Sequence, residues 1–368
     1  MTEFHGKVGL IQRVLPNYRV PFFNTLGRAC TQGLGVFAGQ PKPDEMIKTA
    51  SHLEDAVLTR GKNLHFFSGR LYLCIQVGLL DWLSDWNPDA LIVEANPRYL
   101  RTPAAIRWMR KRNRPVIGWG LGAPPLSGLL SSCRRFRRKQ FIQHFDAIIT
   151  YSQTGASEYA ALGFPQDRIF VAVNAVTPPP PHPLPERTPS EHVLKPRVLF
   201  VGRLQERKNL DNLLAACSEL PPSTQPELVI VGDGPARESL IRLAREIYPD
   251  AVFTGALYNE TLAEQYRTAD LFVLPGTGGL AIQQAMSYGL PVIAAQADGT
   301  QVDLVRPENG WQVPPDDIPT LKSALEQALS DLSALRTMGA ESYRIVAEEI
   351  NLDKMVSVFV EALNRSQT

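Results

Sequence analysis

Strand-length apolar runs alternate with amphipathic stretches of helix length along most of this chain. The pattern is plainest in the run Leu274–Ala295, LPGTGGLAIQQAMSYGLPVIAA. A hydrophobic strand ends at Leu274, a glycine-rich turn runs from Gly276 to Gly279, and an amphipathic helix follows over Leu280–Tyr288, stopped by Gly289. A second strand begins at once over Pro291–Ala295. Strand, turn, helix, strand is one βαβ unit of an open parallel sheet, and such sheets bind ligands at the carboxyl ends of their strands. A helix N-terminus there offers N–H groups and partial positive charge to a phosphate. The pattern therefore points to a diphosphate-bearing ligand.

The rest of the second half keeps the same rhythm. Strands are expected at Arg197–Val201, Leu228–Val231, Ala251–Phe253 and Leu271–Leu274. Helices are expected at Asn209–Leu220, Ala236–Ile247 and Asn259–Thr268. The crossovers are about one helix long, as parallel neighbours require. The first half is less regular. Its strand candidates are Val8–Ile11, Leu34–Phe37, Leu91–Val93, Val116–Trp119, Ala147–Thr150 and Ile169–Val171. Its helices are expected at Pro21–Cys30, Leu71–Ser84, Pro103–Lys111 and Gly155–Leu162. Both halves read as α/β doubly wound domains, facing each other with the ligand site between them.

A proline seam, Thr177–Pro196, separates the halves, with Pro178, Pro179, Pro180 and Pro181 in a row. Repeated prolines favour extended chain and defeat helix interiors, so the seam is a linker or hinge, or else a proline-rich surface loop. The expected domains are residues 1–176, a linker at 177–196, a second domain at 197–345 and a final helical segment at 346–368. Periodicity leaves open whether that last segment completes the second domain or returns to the first.

Length and charge narrow the class. A chain of 368 residues suggests two cores rather than one. A formal net charge of +1 does not advertise a nucleic-acid partner. Arg134, Arg135, Arg137, Arg138 and Lys139 form a local basic knot beside the apolar run Leu126–Leu130 and Phe136. It reads either as a solvated surface turn or as a site of peripheral contact with anionic lipid. The cysteines at 30, 74, 133 and 217 have no CxxC spacing and form no metal cluster. No run approaches the roughly 20 apolar residues that span a bilayer, and Leu71–Leu83 fits a buried helix. The expected location is cytoplasmic, with peripheral contact at the inner face of the cytoplasmic membrane.

Candidate chemistry gathers at strand ends. FVGRLQERKN, Phe200–Asn209, leaves a strand and enters a helix, placing Arg203 and Lys208 near the carboxyl end of the sheet. Arg203 can grip a diphosphate as a fork and Lys208 as a point charge. The turn Gly232-Asp233-Gly234-Pro235 also follows a strand. It either brings backbone close to a ligand or only makes a tight strand-to-helix junction. GxGxxG in a first βα unit and GxxxxGK[ST] are both missing, which argues against ordinary dinucleotide oxidoreductases and P-loop nucleotidases.

The segments VGRLQERKNLDNLLAA, LVIVGDGP, VFTGAL, ADLFVLPGTGGLAIQQAMSYGLPVIAA and VRPENGWQVPP, in that order, carry a resemblance. Over about Arg197–Pro314 the chain resembles retaining glycosyltransferases of family 4, which have the GT-B fold, of the bacterial surface-polysaccharide or glycolipid type. The resemblance implies that Arg203 and Lys208 contact the donor diphosphate as the catalytic cations. It implies that Gly278, Gly279 and Leu280 bind the same group, with Gly232 and Gln284 also on the donor side. The family usually has a glutamate, seven intervening residues, and a second glutamate across this turn and helix. Here those positions are Gly276 and Gln284. Gly276 has no side chain to reach a sugar hydroxyl, whereas Gln284 can still hydrogen-bond a ribose without charge.

RVLPNYRVPFFNTL follows the first strand and resembles the start of the acceptor-side loop in some bacterial members, making Asn17, Tyr18 and Arg19 acceptor-side candidates. Equally, Pro21, Phe22 and Phe23 start a core helix that these neighbours cap. Where the family often has a histidine, VIGWGLGAPP presents Trp119 and Leu121; His144 falls on a later helix. The implied chemistry is hexosyl transfer with retention of configuration from a nucleoside-diphosphate sugar to a glycan or lipid-linked glycan, in envelope or polysaccharide assembly. No cofactor or metal is expected. The alternatives are a nucleotide-sugar epimerase or hydrolase, and a non-catalytic nucleotide-sugar-binding subunit, the latter motivated by Gly276 and Gln284.

Overall fold

The computed structural model describes residues 2–367 except 46, 126, 127, 129, 130, 188–191 and 298. The chain divides into two compact units, residues 1–176 with 352–368, and residues 177–351.

The first unit is built on β1 (Val8–Val14), β2 (Leu34–Gly39), β3 (Val57–Arg60), β4 (Lys62–Phe66), β5 (Leu73–Val77), β6 (Ala90–Glu94), β7 (Val116–Gly120), β8 (Ala147–Thr150) and β9 (Ile169–Val171). Its helices before the seam are α1 (Val20–Arg28), α2 (Leu79–Trp86), α3 (Thr102–Arg110), α4 (Ser131–Ile142) and α5 (Gln153–Ala161). Seven strands make one sheet in the order β3-β2-β1-β6-β7-β8-β9, and its pairings are all parallel. Alternate residues of the strands feed separate apolar clusters on the two faces. Leu10, Ile92 and Ile149 pack in one, while Ile11, Val93 and Ile148 pack in the other. That double burial is why these strands read as continuous apolar runs.

The second unit holds β10 (Arg197–Val201), α6 (Leu210–Ser218), β11 (Glu227–Val231), α7 (Arg237–Ile247), β12 (Val252–Gly255), α8 (Asn259–Thr268), β13 (Leu271–Leu274), α9 (Leu280–Ser287), β14 (Val292–Ala295), α10 (Thr300–Leu304), β15 (Gly310–Val313), α11 (Ile318–Ser330) and α12 (Leu332–Arg344). Its sheet runs β12-β11-β10-β13-β14-β15 and is also parallel throughout. Each sheet therefore reverses direction of growth once, between β1 and β6 in the first unit and between β10 and β13 in the second. Loops diverge there and leave a crevice at the strand ends.

The final helix, α13 (Leu352–Ser366), belongs to the first unit. Leu352, Met355, Val356, Phe359, Val360 and Leu363 recur at helical spacing and enter the same apolar cluster as β1 and α1. The Phe359 ring lies 4.9 Å from the rings of both Phe22 and Trp119. Residues 177–187 of the proline seam group with the second unit. There Arg187 donates to the carbonyls of Ala269, Arg267 and Tyr288, and burial pulls its guanidinium down to about 10.

Three local expectations need correction. The stretch expected as one helix over Leu71–Ser84 is a strand followed by a helix. Leu73–Val77 pairs antiparallel with Lys62–Phe66, and α2 begins only after Gly78, whose φ is +83°. Partners across a hairpin outweigh the helical reading of a short apolar run. The basic knot lies within helix α4 rather than in a turn, and Arg134, Arg135, Phe136, Arg137 and Lys139 are exposed on it. His144 follows the end of that helix, its amide donating to the Phe141 carbonyl in a turn. Of the apolar run beside the knot, residues 126, 127, 129 and 130 lie outside the described residues, as does Pro189 of the seam. Among the described residues no helix is long and apolar enough to cross a membrane.

Candidate functional site

In the second unit, three loops leave the carboxyl ends of β11, β10 and β13 and are tied together mainly by backbone. The Leu204 amide donates to the Asp233 carbonyl (3.0 Å), and the Ala236 amide donates back to the Leu204 carbonyl (3.1 Å). Gly232 has φ +145°, and a Cβ there would strike the Gly202 carbonyl oxygen. Glycine at 232 thus serves the close junction of two loops, whatever else it does.

The loop after β10 then meets the glycine turn after β13. The Thr277 amide donates to the Arg207 carbonyl (3.0 Å), and Arg207 Nη1 donates to Thr277 Oγ1 (3.0 Å). Lys208 Nζ donates to the Thr277 carbonyl. Arg203 is exposed at the start of the same loop. Lys208 and the turn are therefore in contact, as their strand-end positions suggested. Gly278 carries the unusual backbone, with φ +142°. Gly279, at the helix N-cap, has φ −142° and no need of glycine on that account. The sequence points to Gly279 as the position where a side chain would crowd the donor; the backbone puts the unusual φ at Gly278 instead.

Helix α9 begins at Leu280, and its N-cap residue, Gly279, has no side chain with which to cap it. Its leading amides have no carbonyl one turn earlier to bond. They face the end where phosphate binding is favoured by the helix dipole. Gln284, one turn in, is half-buried, and its Oε1 accepts from the Tyr266 hydroxyl (3.5 Å). The neighbouring Gln283 is fully buried, donating to the Ile350 carbonyl (2.9 Å), and is structural.

Two contributors escaped the sequence reading. Arg207, beside Lys208, has no motif position of its own, yet it anchors the glycine turn. Gln301 is completely buried, and its Nε2 donates to the Gly278 carbonyl (2.8 Å), holding the turn from the side opposite Lys208's loop in sequence. Nothing in the local pattern around Gln301 marks it, because its role depends on a residue 23 positions away.

The first unit has its own strand-end crevice, a cavity of about 440 Å3 beside the β1/β6 switch point. Gln12, Glu94, Trp119 and Tyr151 line it from four strand ends, with Arg98 and Arg138 also on its wall. Glu94 Oε1 accepts from the Arg13 amide (3.0 Å). Burial pushes the Glu94 carboxyl above the ordinary range, against the opposing pull of that amide and of Tyr99. Burial likewise pushes the Tyr151 phenol up to about 12.

Of the three acceptor-side candidates, Arg19 borders this cavity: its guanidinium lies 5.3 Å from the Tyr151 ring centre and 5.8 Å from that of Trp119. Tyr18 is exposed, with Arg19 5.6 Å from its ring. Asn17 is exposed at the start of a single helical turn, its amide donating to the Lys48 carbonyl. Among the described residues no group of His, Cys, Asp and Glu is arranged to hold a metal ion.

Comparison with known proteins adds to this geometry. Residues 195–331 match the family model described as Glycosyl transferases group 1. A sulfoquinovosyl transferase of Arabidopsis thaliana is 35% identical over 153 residues, which is 39% of this chain and 29% of that protein. A GDP-mannose-dependent alpha-mannosyltransferase of Mycobacterium tuberculosis is 38% identical over 168 residues, 42% of each chain. The chain thus matches less than half the length of these curated relatives. Solved structures align over nearly the whole chain. Anabaena HepE in complex with UDP superposes with a TM-score of 0.71 at 16% identity, covering 99% of this chain and 100% of that one. Sucrose-phosphate synthase from Thermosynechococcus elongatus gives 0.69 at 18% identity, covering 98% of each. The fold is GT-B, two Rossmann-like doubly wound domains, and the segment carrying the three tied loops is related to nucleotide-sugar glycosyltransferases.

Proposed function

We propose that the protein transfers a hexosyl group from a nucleoside-diphosphate sugar to a glycan or lipid-linked glycan acceptor, with retention of configuration, in envelope or polysaccharide biosynthesis. The observation that carries this reading is Lys208 seated on the glycine turn at the switch point of the second unit, within the segment related to group 1 glycosyl transferases. Residues 197–345 would bind the donor and residues 1–176 the acceptor. Anabaena HepE, solved with UDP, and the GDP-mannose-dependent relative name two nucleotides to try first.

In the proposed reaction the bond between the sugar's anomeric carbon and the diphosphate oxygen breaks, and a bond to the acceptor oxygen forms on the same face. The acceptor proton passes to the departing phosphate. Arg203, Lys208 and the leading amides of α9 would stabilise the charge that develops on the diphosphate. Leu280 and Gly279 contribute backbone groups, and Gln284 would reach the ribose. No metal is required, because two cations already serve the leaving group. Exposed arginines on α4 would hold the protein peripherally at an anionic membrane, on the cytoplasmic side.

Titration with UDP and GDP, followed by donor turnover with and without glycan acceptors, tests the reading. Saturable binding of one nucleotide and acceptor-dependent release of it is expected. Absence of binding by either nucleotide would overturn it. Because Gly276 leaves the donor sugar without the family's glutamate, a second reading, a donor-binding subunit without its own turnover, is favoured by binding without release.

A further inference from the structure

Two buried hydrogen-bond donors beside the cavity of the first unit have no partner among the described residues. Trp119 is 3% exposed and lines the cavity, yet its indole N–H is buried with no partner among the described residues. Arg19 Nη1 is also buried without one among the described residues, while its guanidinium carbon lies 5.8 Å and 5.3 Å from the ring centres of Trp119 and Tyr151. A cation–π contact draws on the charge of a guanidinium and leaves its in-plane N–H groups without an acceptor. A buried donor left unpaired is costly and calls for an acceptor.

The charge around the cavity has one dominant sign. Arg98 and Arg138 stand on its wall and Arg19 at its border. Arg138 Nη1 donates to the Pro124 carbonyl (2.9 Å). Burial, together with the proximity of Arg134 and Arg98, draws its guanidinium down from its ordinary value, against the opposing pull of Tyr159 and Glu158. Glu158 is itself occupied by the Ala123 amide (2.7 Å). Glu94 is the cavity's own acid, and it already accepts from the Arg13 amide. Unpaired donors, clustered guanidinium forks and aromatic walls suit an oxyanion carried on a ring better than either a bare ion or an alkyl chain.

We propose that this cavity binds an acidic saccharide, with Arg19 and the Trp119 N–H holding its carboxylate or phosphate and Glu94 accepting from a ring hydroxyl. The proposal rests on the reading of the first unit as the acceptor side and gives that acceptor a charge. Arg138 and Arg98 supply the surrounding positive field, and Tyr151 a flat wall for the sugar. A neutral sugar of the same shape would leave the guanidinium and indole donors unpaired, so the site discriminates on charge.

Calorimetric titration of the full chain at low salt tests this with methyl glucuronide, glucose 6-phosphate, neutral methyl glucoside and inorganic phosphate. A parallel UDP titration reports on the donor side. At least one acidic sugar should bind about tenfold or more tightly than methyl glucoside, and the preference should fall as salt is raised. The better of the two acidic sugars identifies carboxylate or phosphate as the group held. Arg19→Gln should abolish the preference while UDP binding persists, and Arg138→Gln should reduce it in case the first variant does not fold. Equal binding of acidic and neutral sugars, or no sugar binding beside intact UDP binding, overturns the proposal. So does inorganic phosphate binding as tightly as glucose 6-phosphate when methyl glucuronide shows no preference over methyl glucoside. Loss of UDP binding in the unmodified chain would instead count against the donor reading.

Discussion

Gly276 lies against the backbone of Lys208: a Cβ at position 276 would come within 2.6 Å of Lys208 Cα. The glycine is what lets the loop after β10 close on the turn after β13. A glutamate therefore cannot be restored at this position without parting the two loops that carry the proposed donor site. Gly276→Glu should bind UDP or GDP more weakly than the unmodified chain and should lose stability, overpacking of this kind costing about 1–3 kcal/mol. Calorimetry and thermal unfolding read the two effects. Tighter binding at undiminished stability would show that the loops open freely.

Arg203 and Lys208 can be separated from the fold. Arg203 is exposed, and truncating either side chain leaves the sheet intact. Arg203→Ala and Lys208→Ala should each weaken nucleoside-diphosphate binding by about 1.5–3 kcal/mol, the worth of a charge-assisted hydrogen bond. Circular dichroism should be unchanged. Unaltered affinity in both variants would remove these residues from the donor site.

The two glycines ahead of α9 should respond differently. At Gly278 a side chain must adopt φ +142° and would meet Lys208 Nζ at 2.6 Å. At Gly279 φ is negative, and the nearest atom, Thr300 Oγ1, is 3.1 Å from a Cβ. Gly278→Ala should therefore damage nucleotide binding more than Gly279→Ala. Gln284→Glu should leave it near normal, since length and acceptor capacity are kept. The reverse order in parallel titrations would relocate the phosphate cradle toward Gly279.

Helix α4 offers the membrane test. Replacing Arg134, Arg135 and Arg137 together with Gln should reduce binding to vesicles containing anionic lipid, and the difference should shrink at high salt as charges are screened. Equal binding of variant and unmodified protein at low salt would make the helix an ordinary solvated surface.

Acid should loosen the second unit through one ion-pair network. Glu349 bonds Arg306 and Arg344, each at 2.8 Å, and Glu341 bonds Arg344 at 2.6 Å. The hydrogen bond from Arg306 leads in holding the Glu349 carboxyl below its ordinary range, and that from Arg344 does so for Glu341. A folded-state value below the unfolded one, about 4.3, gives stability that is present above that pH and lost as pH falls through the folded value. Glu349→Gln should flatten the acid limb of a stability profile measured by thermal unfolding. An unchanged limb would show that solvent screens the network fully.

Chain pattern alone determined much of this protein. The apolar runs marked both parallel sheets, because strands covered on two faces have no solvent side to interrupt them. The motifs placed Arg203, Lys208 and the glycine turn at strand ends, because the βα rhythm is local and each loop follows directly from its strand. Pairing between distant segments was decided only in three dimensions. Leu73–Val77 is a strand because Lys62–Phe66 lies beside it, and the apolar stripe of α13 fits several cores until Phe22 and Trp119 select one. Gln301 holds Gly278, and Arg19 comes beside the Tyr151 ring, through contacts no spacing rule encodes. Even the strained glycine, 278 rather than 279, was set by the tertiary path of the turn. Periodicity reports which face of an element is buried, but only the folded chain supplies what is buried against it.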